Sequence, residues 1–277
     1  MLAIDGALTS RVGVFVAEPA ETFDALFGAH PVGVWSATRF DSRPQVMATP
    51  LALAHLDVVS STQDEARSRF RSSPVLVTAS SQTVGRGRRG TVWETADRAV
   101  AASLALLPRW PAVFWPLIPA VAGLSALDVL GSDAMLKWPN DVVVHGAKVA
   151  GILVESDPEA VVVGIGINLF WADPLPGAAG LVDEDPGPDA GPRVAEAWAR
   201  RFLDRMDGDP EDWGRAEYEE RSATVGLPVI WQPGGSGRAV GIAPNGGLIV
   251  ESDRGTVVLD SGVVAIVRTS REPPPAG

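Results

Sequence analysis

The chain has 277 residues, a formal net charge of −11 and 46% hydrophobic residues, as in a folded globular protein of one or two domains. It has no cysteine, which excludes disulfides, thiolate metal sites and a cysteine nucleophile. The N-terminus lacks a signal-peptide pattern, and the longest apolar stretches, Ala99–Pro108 and Pro111–Leu124, are shorter than the ~18 residues that a membrane span needs. We therefore expect a cytoplasmic protein with no membrane partner.

Residues 1–53 are expected to form an N-terminal extension of unknown role. Their pattern predicts a strand at Val12–Val16, a short helix at Ala20–Phe27 and a second strand at Val32–Arg39. A helix-turn-helix needs two amphipathic helices and a basic recognition surface, and this segment has neither. We therefore expect a small folded appendage that does not bind DNA.

From about Leu53, strand patterns alternate with helical patterns, which is typical of an α/β (α+β) domain. Strands are expected at Ala54–Val59, Val75–Ala79 and Ala99–Leu107, three times within 135–156 and once within 160–170. Helices are expected at the capping-box pair Thr62 and Glu65, at Pro116–Leu130, at the repeat Val194, Trp198, Phe202 and Met206, and near Trp213–Arg221. These elements predict a mixed β-sheet with helices on one face over residues 54–221.

The last part of the chain has a different pattern. Segment 171–192 is rich in Pro, Gly and Asp and is expected to be a loop. Residues 222–269 contain five short β runs separated by glycine turns, which predicts a small C-terminal β-barrel. Residues 270–277 are expected to be a disordered tail.

Gly85–Gly90 reads GRGRRG and concentrates three arginines and three glycines in a strongly acidic chain. Glycines let the backbone approach an anion, and arginine binds phosphate in a planar, bidentate manner. The alternatives are a solvated loop and a nucleic-acid contact. Three phosphate contacts would give a salt-dependence slope of only about −2.7, against about −10 for a strong DNA binder. The loop therefore favours a small nucleotide or its acyl derivative.

Only two of the 23 basic residues are lysines, and both lie in the segment LKWPNDVVVHGAKVAGILVE, at Lys137 and Lys148. A lysine ammonium acts as a compact point charge towards a carboxylate or a phosphate, whereas the guanidinium is planar and larger. The pair therefore indicates a second set of anion contacts, unless two exposed lysines lie close together by chance.

Five segments also have the residues and the order of motifs from one family. They are SST (Ser60–Thr62), QTVGRGRRGTVW (Gln82–Trp93), LKWPND (Leu136–Asp141), KVAGILVE (Lys148–Glu155) and GIGIN (Gly164–Asn168). Together they resemble the biotin protein ligases of the biotin/lipoate ligase superfamily, from about residue 53 to the C-terminus. The resemblance implies a ligase core followed by a small SH3-like barrel.

The resemblance implies an ATP-dependent ligase that uses Mg²⁺. Such an enzyme forms biotinyl-5′-AMP from biotin and ATP, and then transfers biotin to a lysine of a biotin carboxyl carrier domain. Two alternatives remain open at this point: a related lipoate or acyl ligase or transferase of the same fold, and a non-catalytic sensor of biotin or a nucleotide. The chain is expected to act as a monomer or a homodimer.

The same resemblance assigns roles to individual residues. The residues expected to contact biotin are Ser61, Thr62, Gln63, Gln82, Arg86, Gly87, Arg88 and Lys148. The residues expected to contact the nucleotide are Trp93, Lys137, Asn140 and Asn168. Lys148 and Arg88 are the expected catalytic cations. Asp141 is expected to be either a magnesium ligand or a structural acid of a turn.

The sequence departs from the family pattern at three places. Gln63 stands where the family usually has asparagine, so its side-chain amide lies one methylene further from the backbone. Thr91 follows the GRGRRG loop where a basic residue is common, and the segment after Trp93 lacks the usual Gly and Asn-Leu. These positions are where acyl specificity is expected to differ.

Overall fold

The fold is described from a computed structural model over residues 50–267, so most of the expected N-terminal extension and the C-terminal tail lie outside the described residues. The first seven strands form one sheet. They are β1 (Ala52–Val59), β2 (Val75–Gln82), β3 (Arg98–Leu106), β4 (Ala134–Lys137), β5 (Asp141–Val144), β6 (Ala147–Ser156) and β7 (Val161–Phe170). Their order is β1-β2-β3-β7-β6-β5-β4, with β1 and β2 parallel and the other neighbours antiparallel. The expected mixed sheet is confirmed.

Four α-helices lie in the described residues, namely α1 (Thr62–Arg69), α2 (Ile118–Leu130), α3 (Ala190–Met206) and α4 (Arg215–Glu220). Successive strand residues point to opposite faces of a sheet. On β3, Leu104 is buried with α2 and α3, whereas Ala105 is buried with Ala66 of α1. Helices therefore cover both faces, and the expectation of one face is wrong. The reason is that α1 connects two parallel strands, so the hand of this crossover fixes its face independently of α2 and α3.

The segment Ala112–Leu130 consists of a 3-10 helix followed by α2, and by length and composition alone it could cross a membrane, with a mean hydropathy of 1.8. This helical segment is longer than the apolar stretch Pro111–Leu124 that the sequence shows. Its prolines do not end it, because Pro116 and Pro119 lie before and within the first turn of α2, where proline is tolerated. In the fold this segment is 67% buried, and Trp198 of α3 donates a hydrogen bond to the carbonyl of Ala122. Packing in the protein core accounts for its apolar character.

The C-terminal strands form a second sheet, which is antiparallel. They are β8 (Pro228–Trp231), β9 (Gly235–Ile242), β10 (Leu248–Ser252), β11 (Gly255–Leu259) and β12 (Val264–Ile266), in the order β11-β10-β9-β8-β12. Within residues 50–267 no ladder joins the edge strands β11 and β12, so a closed barrel is not confirmed. The two sheets are linked at Trp138, whose backbone N–H donates to Thr224 Oγ1 at 3.0 Å and whose indole donates to the carbonyl of Gly246.

Arg205 joins three helices. Its guanidinium donates to Asp128 of α2 at 2.9 Å and to Glu217 of α4 at 2.8 Å. We expect Arg205→Met to lower the free energy of unfolding by about 1–3 kcal/mol, because two half-buried carboxylates lose their partner. Urea denaturation measures the change. Arg200→Met is the matched control, since Arg200 is equally exposed (24%) but pairs only with Glu196 within α3. Equal effects of the two substitutions would contradict the expectation.

Candidate functional site

A cleft of about 330 Å³ opens between α1, the GRGRRG loop and strands β4 to β7. Its lining contains five basic side chains, Arg86, Arg88, Arg89, Lys137 and Lys148, and one acidic side chain, Asp141. This excess of positive charge occurs in a chain with a net charge of −11. A concave surface lined by one sign of charge focuses the electrostatic potential and attracts the opposite charge. The cleft is therefore built for an anionic ligand.

The first wall of the cleft is neutral and polar, and it begins at the N-terminus of α1. Ser61 caps this helix by accepting a hydrogen bond from the backbone N–H of Gln63. Thr62 was expected to cap it, but its hydroxyl is used across the sheet: it donates to Gln82 Oε1 at 3.1 Å and lies 2.8 Å from the hydroxyl of Ser103. The cap therefore lies one residue earlier than expected. These contacts hold four polar side chains in one buried wall.

Gln63 is buried in the same wall, with 5% of its surface exposed. Its Nε2 donates to Glu155 Oε2 at 3.3 Å, while its Oε1 is buried without a hydrogen-bond partner. Gly164 leaves room for this amide, since a Cβ there would lie 2.9 Å from Oε1. Buried acceptors are normally paired, so this atom is an acceptor that a ligand can satisfy.

The GRGRRG loop folds back on itself over the cleft. Arg86 pairs with Val92 as an antiparallel bridge, and the N–H of Gly87 donates to the carbonyl of Thr91 at 2.7 Å. A side chain at Gly87 would collide with the Thr91 hydroxyl, so the closed loop requires glycine there. The Arg86 guanidinium donates to Asp64 at 2.7 Å and lies 3.7 Å from Glu155. The loop is thereby tied to α1 and to β6.

Arg88 points from the loop towards the WPND turn between β4 and β5. It donates to Asn140 Oδ1 at 2.9 Å, and Asn140 Nδ2 in turn donates to the carbonyl of Ile152. Burial and the neighbouring Arg89 lower the pKa of Arg88, while Asp141 opposes this shift. The guanidinium is thus a partly desolvated cation, and an anion bound beside it would relieve the cost of burying it.

Lys148 lies inside the cleft, as its expected role requires. Its Nζ is 2.6 Å from Asp141 Oδ1 and 5.4 Å from the centre of the Trp93 ring. The Trp93 ring packs on two glycines of neighbouring strands: a Cβ at Gly166 would lie 2.6 Å from it, and a Cβ at Gly151 would lie 2.9 Å from it. The ion pair and the ring hold the ammonium at the base of the cleft.

The remaining predicted residues are placed as follows. Lys137 lines the cleft at the end of β4, and no ion pair joins it to a carboxylate within residues 50–267. Asn168 lies on β7 two residues beyond Gly166 and on the same face, but it does not line the cleft. It is 2% exposed, and its Oδ1 has no partner. The cleft therefore brings together every predicted site residue except Asn168.

The residues of the cleft do not form a dedicated metal site. In the part of the chain that the structure describes, no three His, Asp or Glu side chains are grouped so that they could hold a metal ion. Among residues 50–267, Asp141 is the one carboxylate that lines the cleft, and it is paired with Lys148. This ion pair gives Asp141 a role in positioning Lys148, and magnesium binding by Asp141 stays a prediction.

A second cavity, of about 620 Å³, lies between the core and the C-terminal sheet, and it shares five lining residues with the cleft: Arg88, Trp138, Pro139, Asn140 and Ile152. Its lining is mostly apolar, and Arg88 is its one basic side chain. It lacks the convergent cations of the first cleft. The smaller, cationic cleft is therefore the better candidate for an anionic substrate.

Sequence reasoning missed three residues that organise the cleft: Ser103, Asp64 and Glu155. Ser103 contacts Thr62, Asp64 contacts Arg86, and Glu155 contacts both Gln63 and Arg86. Glu155 is the last residue of the KVAGILVE segment, so the motif that contains it could be recognised in the sequence. Its contacts with Gln63 and Arg86 could not be predicted, because they depend on how α1 packs against the sheet.

Residues 55–169 match the biotin/lipoate A/B protein ligase family. The chain is 31% identical over 252 residues to the biotin–[acetyl-CoA-carboxylase] ligase of Mycobacterium tuberculosis, which covers 82% of this chain and 94% of that protein. It is 33% identical over 221 residues to the ligase of the same name from Paracoccus denitrificans, covering 70% and 90%. The solved biotin protein ligase of Aquifex aeolicus in complex with biotin and ATP has a TM-score of 0.63 and 26% identity, covering 78% of this chain and 99% of that one.

Proposed function

This chain belongs to the biotin protein ligases of the biotin/lipoate A/B protein ligase family, and from this premise we propose that it attaches biotin to a carrier protein with ATP. The reaction has two steps, formation of biotinyl-5′-AMP and transfer of biotin to a lysine of a biotin carboxyl carrier domain. One observation carries the proposal: a single cleft joins a neutral polar wall, suited to a ureido ring, to a cationic wall, suited to a carboxylate and phosphates.

In the first step, an oxygen of the biotin carboxylate attacks the α-phosphorus of ATP. A new O–P bond forms, the bond from the α-phosphorus to the bridging oxygen breaks, and pyrophosphate leaves. Two anions must approach each other, so positive charge must be fixed at their junction. We assign this role to Lys148, which we place between the carboxylate and the α-phosphate, and to Arg88.

In the second step, the neutral amine of the carrier lysine attacks the acyl carbon of the adenylate. The C–O bond breaks, AMP leaves, and the amine loses a proton as the amide forms. Water competes with the amine for the mixed anhydride, so the cleft must exclude it. We assign this to the loop residues Arg86, Gly87 and Arg88, which are held over the cleft by their contacts with Asp64 and Asn140.

The other contacts are part of the same proposal. We place the ureido ring against Ser61, Thr62, Gln63 and Gln82, and the nucleotide beside Trp93, Lys137 and Asn140. We also assign Asn168 to the nucleotide, although its buried side chain does not line the cleft, so this contact would require the side chain to move. Magnesium enters this scheme as the ion carried by ATP, which neutralises phosphate charge when bound.

The division of the chain is also part of the proposal. We assign the catalytic core to residues 54–221 and an SH3-like unit to residues 222–269. The second unit holds the WPND turn in place through the contacts of Trp138 with Thr224 and Gly246. A carrier domain is the expected partner, and the absence of DNA binding stays a prediction.

The test is pyrophosphate exchange into ATP with the full chain and magnesium. Exchange is expected with biotin, and it is expected to stop when biotin is left out or replaced by lipoate. Exchange with lipoate in place of biotin would favour a lipoate ligase. Tight biotin binding without any exchange would favour a sensor, and it would contradict the proposal.

A further inference from the structure

The contact with Glu155 favours one orientation of the Gln63 amide. Its nitrogen faces Glu155 Oε2 at 3.3 Å, and an ionised carboxylate accepts hydrogen bonds but cannot donate them. If the amide were flipped, its oxygen would face the carboxylate and repel it. Glu155 therefore holds the nitrogen and leaves Oε1 as the atom of the amide without a partner among the described residues.

This remaining oxygen is buried and has no partner, although Gln63 lines the cleft. Leaving a buried acceptor unpaired is costly, and a ligand that supplies an N–H removes that cost. The ring of biotin has two N–H groups in its cyclic urea, whereas the disulfide ring of lipoate has none. The pocket thus discriminates by its unsatisfied acceptor, in addition to its shape.

We propose that Glu155 is a positioning residue that sets acyl specificity by orienting the Gln63 amide towards an N–H-bearing ring. The inference rests on the proposed function, since it concerns the ring end of the same cleft. The length of the Gln63 side chain is part of this arrangement. The contact with Glu155 is already long for a hydrogen bond, so the shorter asparagine would not reach it.

The experiment is calorimetric titration of the full chain with biotin and with its thiolane analogue, which keeps the sulfur ring and the valerate chain but lacks the cyclic urea. A glutamine at position 155 can either accept from or donate to the Gln63 amide, so Glu155→Gln lets that amide take both orientations; biotin affinity is expected to fall about twofold, while affinity for the analogue stays unchanged. Gln63→Asn is expected to behave in the same way.

The reciprocal double variant, Gln63→Glu with Glu155→Gln, places a carboxylate acceptor towards the ring and a donor amide behind it. It is expected to recover at least about half of the lost biotin affinity on a logarithmic scale, which a merely structural role for Glu155 would not produce.

Two control variants test whether the loss of a carboxylate elsewhere, or a change at Arg86, alters the affinity ratio. Glu159→Gln makes the same chemical change on an exposed residue, and Asp64→Asn removes the negative charge that faces Arg86 while leaving Gln63 and Glu155 in place. Neither is expected to change the ratio of biotin affinity to analogue affinity. An unchanged ratio in Glu155→Gln, or a double variant no better than the single one, would overturn the inference. Failure of the wild-type chain to bind biotin would instead overturn the proposed function.

Discussion

Replacing Lys148 with alanine is expected to lower the rate of adenylate formation about 10³-fold, with the fold intact. The reason is that the ammonium is fixed at the base of the cleft by Asp141 at 2.6 Å, where two anions must meet. Removing one preorganised stabilising group from a reaction of this kind typically costs about 10²–10³-fold in rate. Biotin-dependent pyrophosphate exchange measures the effect, and thermal unfolding checks the fold.

Two further variants separate the effect of the charge of Lys148 from the effect of its shape and position. Lys148→Arg keeps the charge but changes its shape, so it is expected to retain more activity than alanine does. Asp141→Asn keeps the ammonium but removes its partner, and a smaller loss is expected. Near-normal exchange in Lys148→Ala would remove Lys148 from the catalytic role and with it the proposed chemistry.

Replacing Arg88 with alanine is expected to make the adenylate leak from the protein. Arg88 joins the loop to the WPND turn through Asn140, so its loss frees the loop where it covers the junction. Release of biotinyl-5′-AMP in a reaction without carrier is expected to rise about tenfold or more, since a bond to a charged group and an anion contact are both lost. Rapid-quench sampling with chromatographic separation of free and bound adenylate measures it.

Arg89→Ala is the matched control for this prediction. Arg89 is the next residue of the loop, and it is exposed. Within residues 50–267, the side chain of Arg89 donates no hydrogen bond to the WPND turn, whereas that of Arg88 does. Because Arg89 also lines the cleft, Arg89→Ala is expected to raise the release of adenylate, but by much less than Arg88→Ala does. The closure role of Arg88 would be disproved by equal release from both variants.

The strands and most helices could be predicted from the sequence because each has a local signal. The apolar runs of β3 and β7 indicate buried strands, and the four-residue repeat from Val194 to Met206 indicates α3. The five runs after residue 222 are indeed strands. Whether they close into a barrel depends on pairing between distant edges, for which no local pattern exists.

The site was predictable where a motif carries the chemistry, and less so where distant elements meet. Lys148, Arg88 and the α1 wall were visible as residue types, and all of them line one cleft. The role of Gly166 in GIGIN depends on a distant partner, since a Cβ there would lie 2.6 Å from the Trp93 ring. The cap at Ser61 was missed because the hydroxyl of Thr62 is taken by side chains from β2 and β3.

The ion pair between Lys148 and Asp141 is a contact that the sequence could not predict. The two residues lie on adjacent antiparallel strands with an irregularity in register between Val142 and Val143. That irregularity decides which side chains share a face, and a one-residue change in register would turn them to opposite faces. Sequence alone therefore left Asp141 open between a metal ligand and a structural acid.

The most direct test of the account follows the oxygen that links biotin to phosphorus. Biotin labelled with oxygen-18 in its carboxylate is supplied with ATP and a biotin carboxyl carrier domain, and the products are weighed by mass spectrometry. If the carboxylate attacks the α-phosphorus at the cationic wall of the cleft, AMP carries one labelled oxygen and pyrophosphate carries none. Unlabelled AMP alongside biotinylated carrier would show that no acyl–phosphate junction forms, and it would contradict the account.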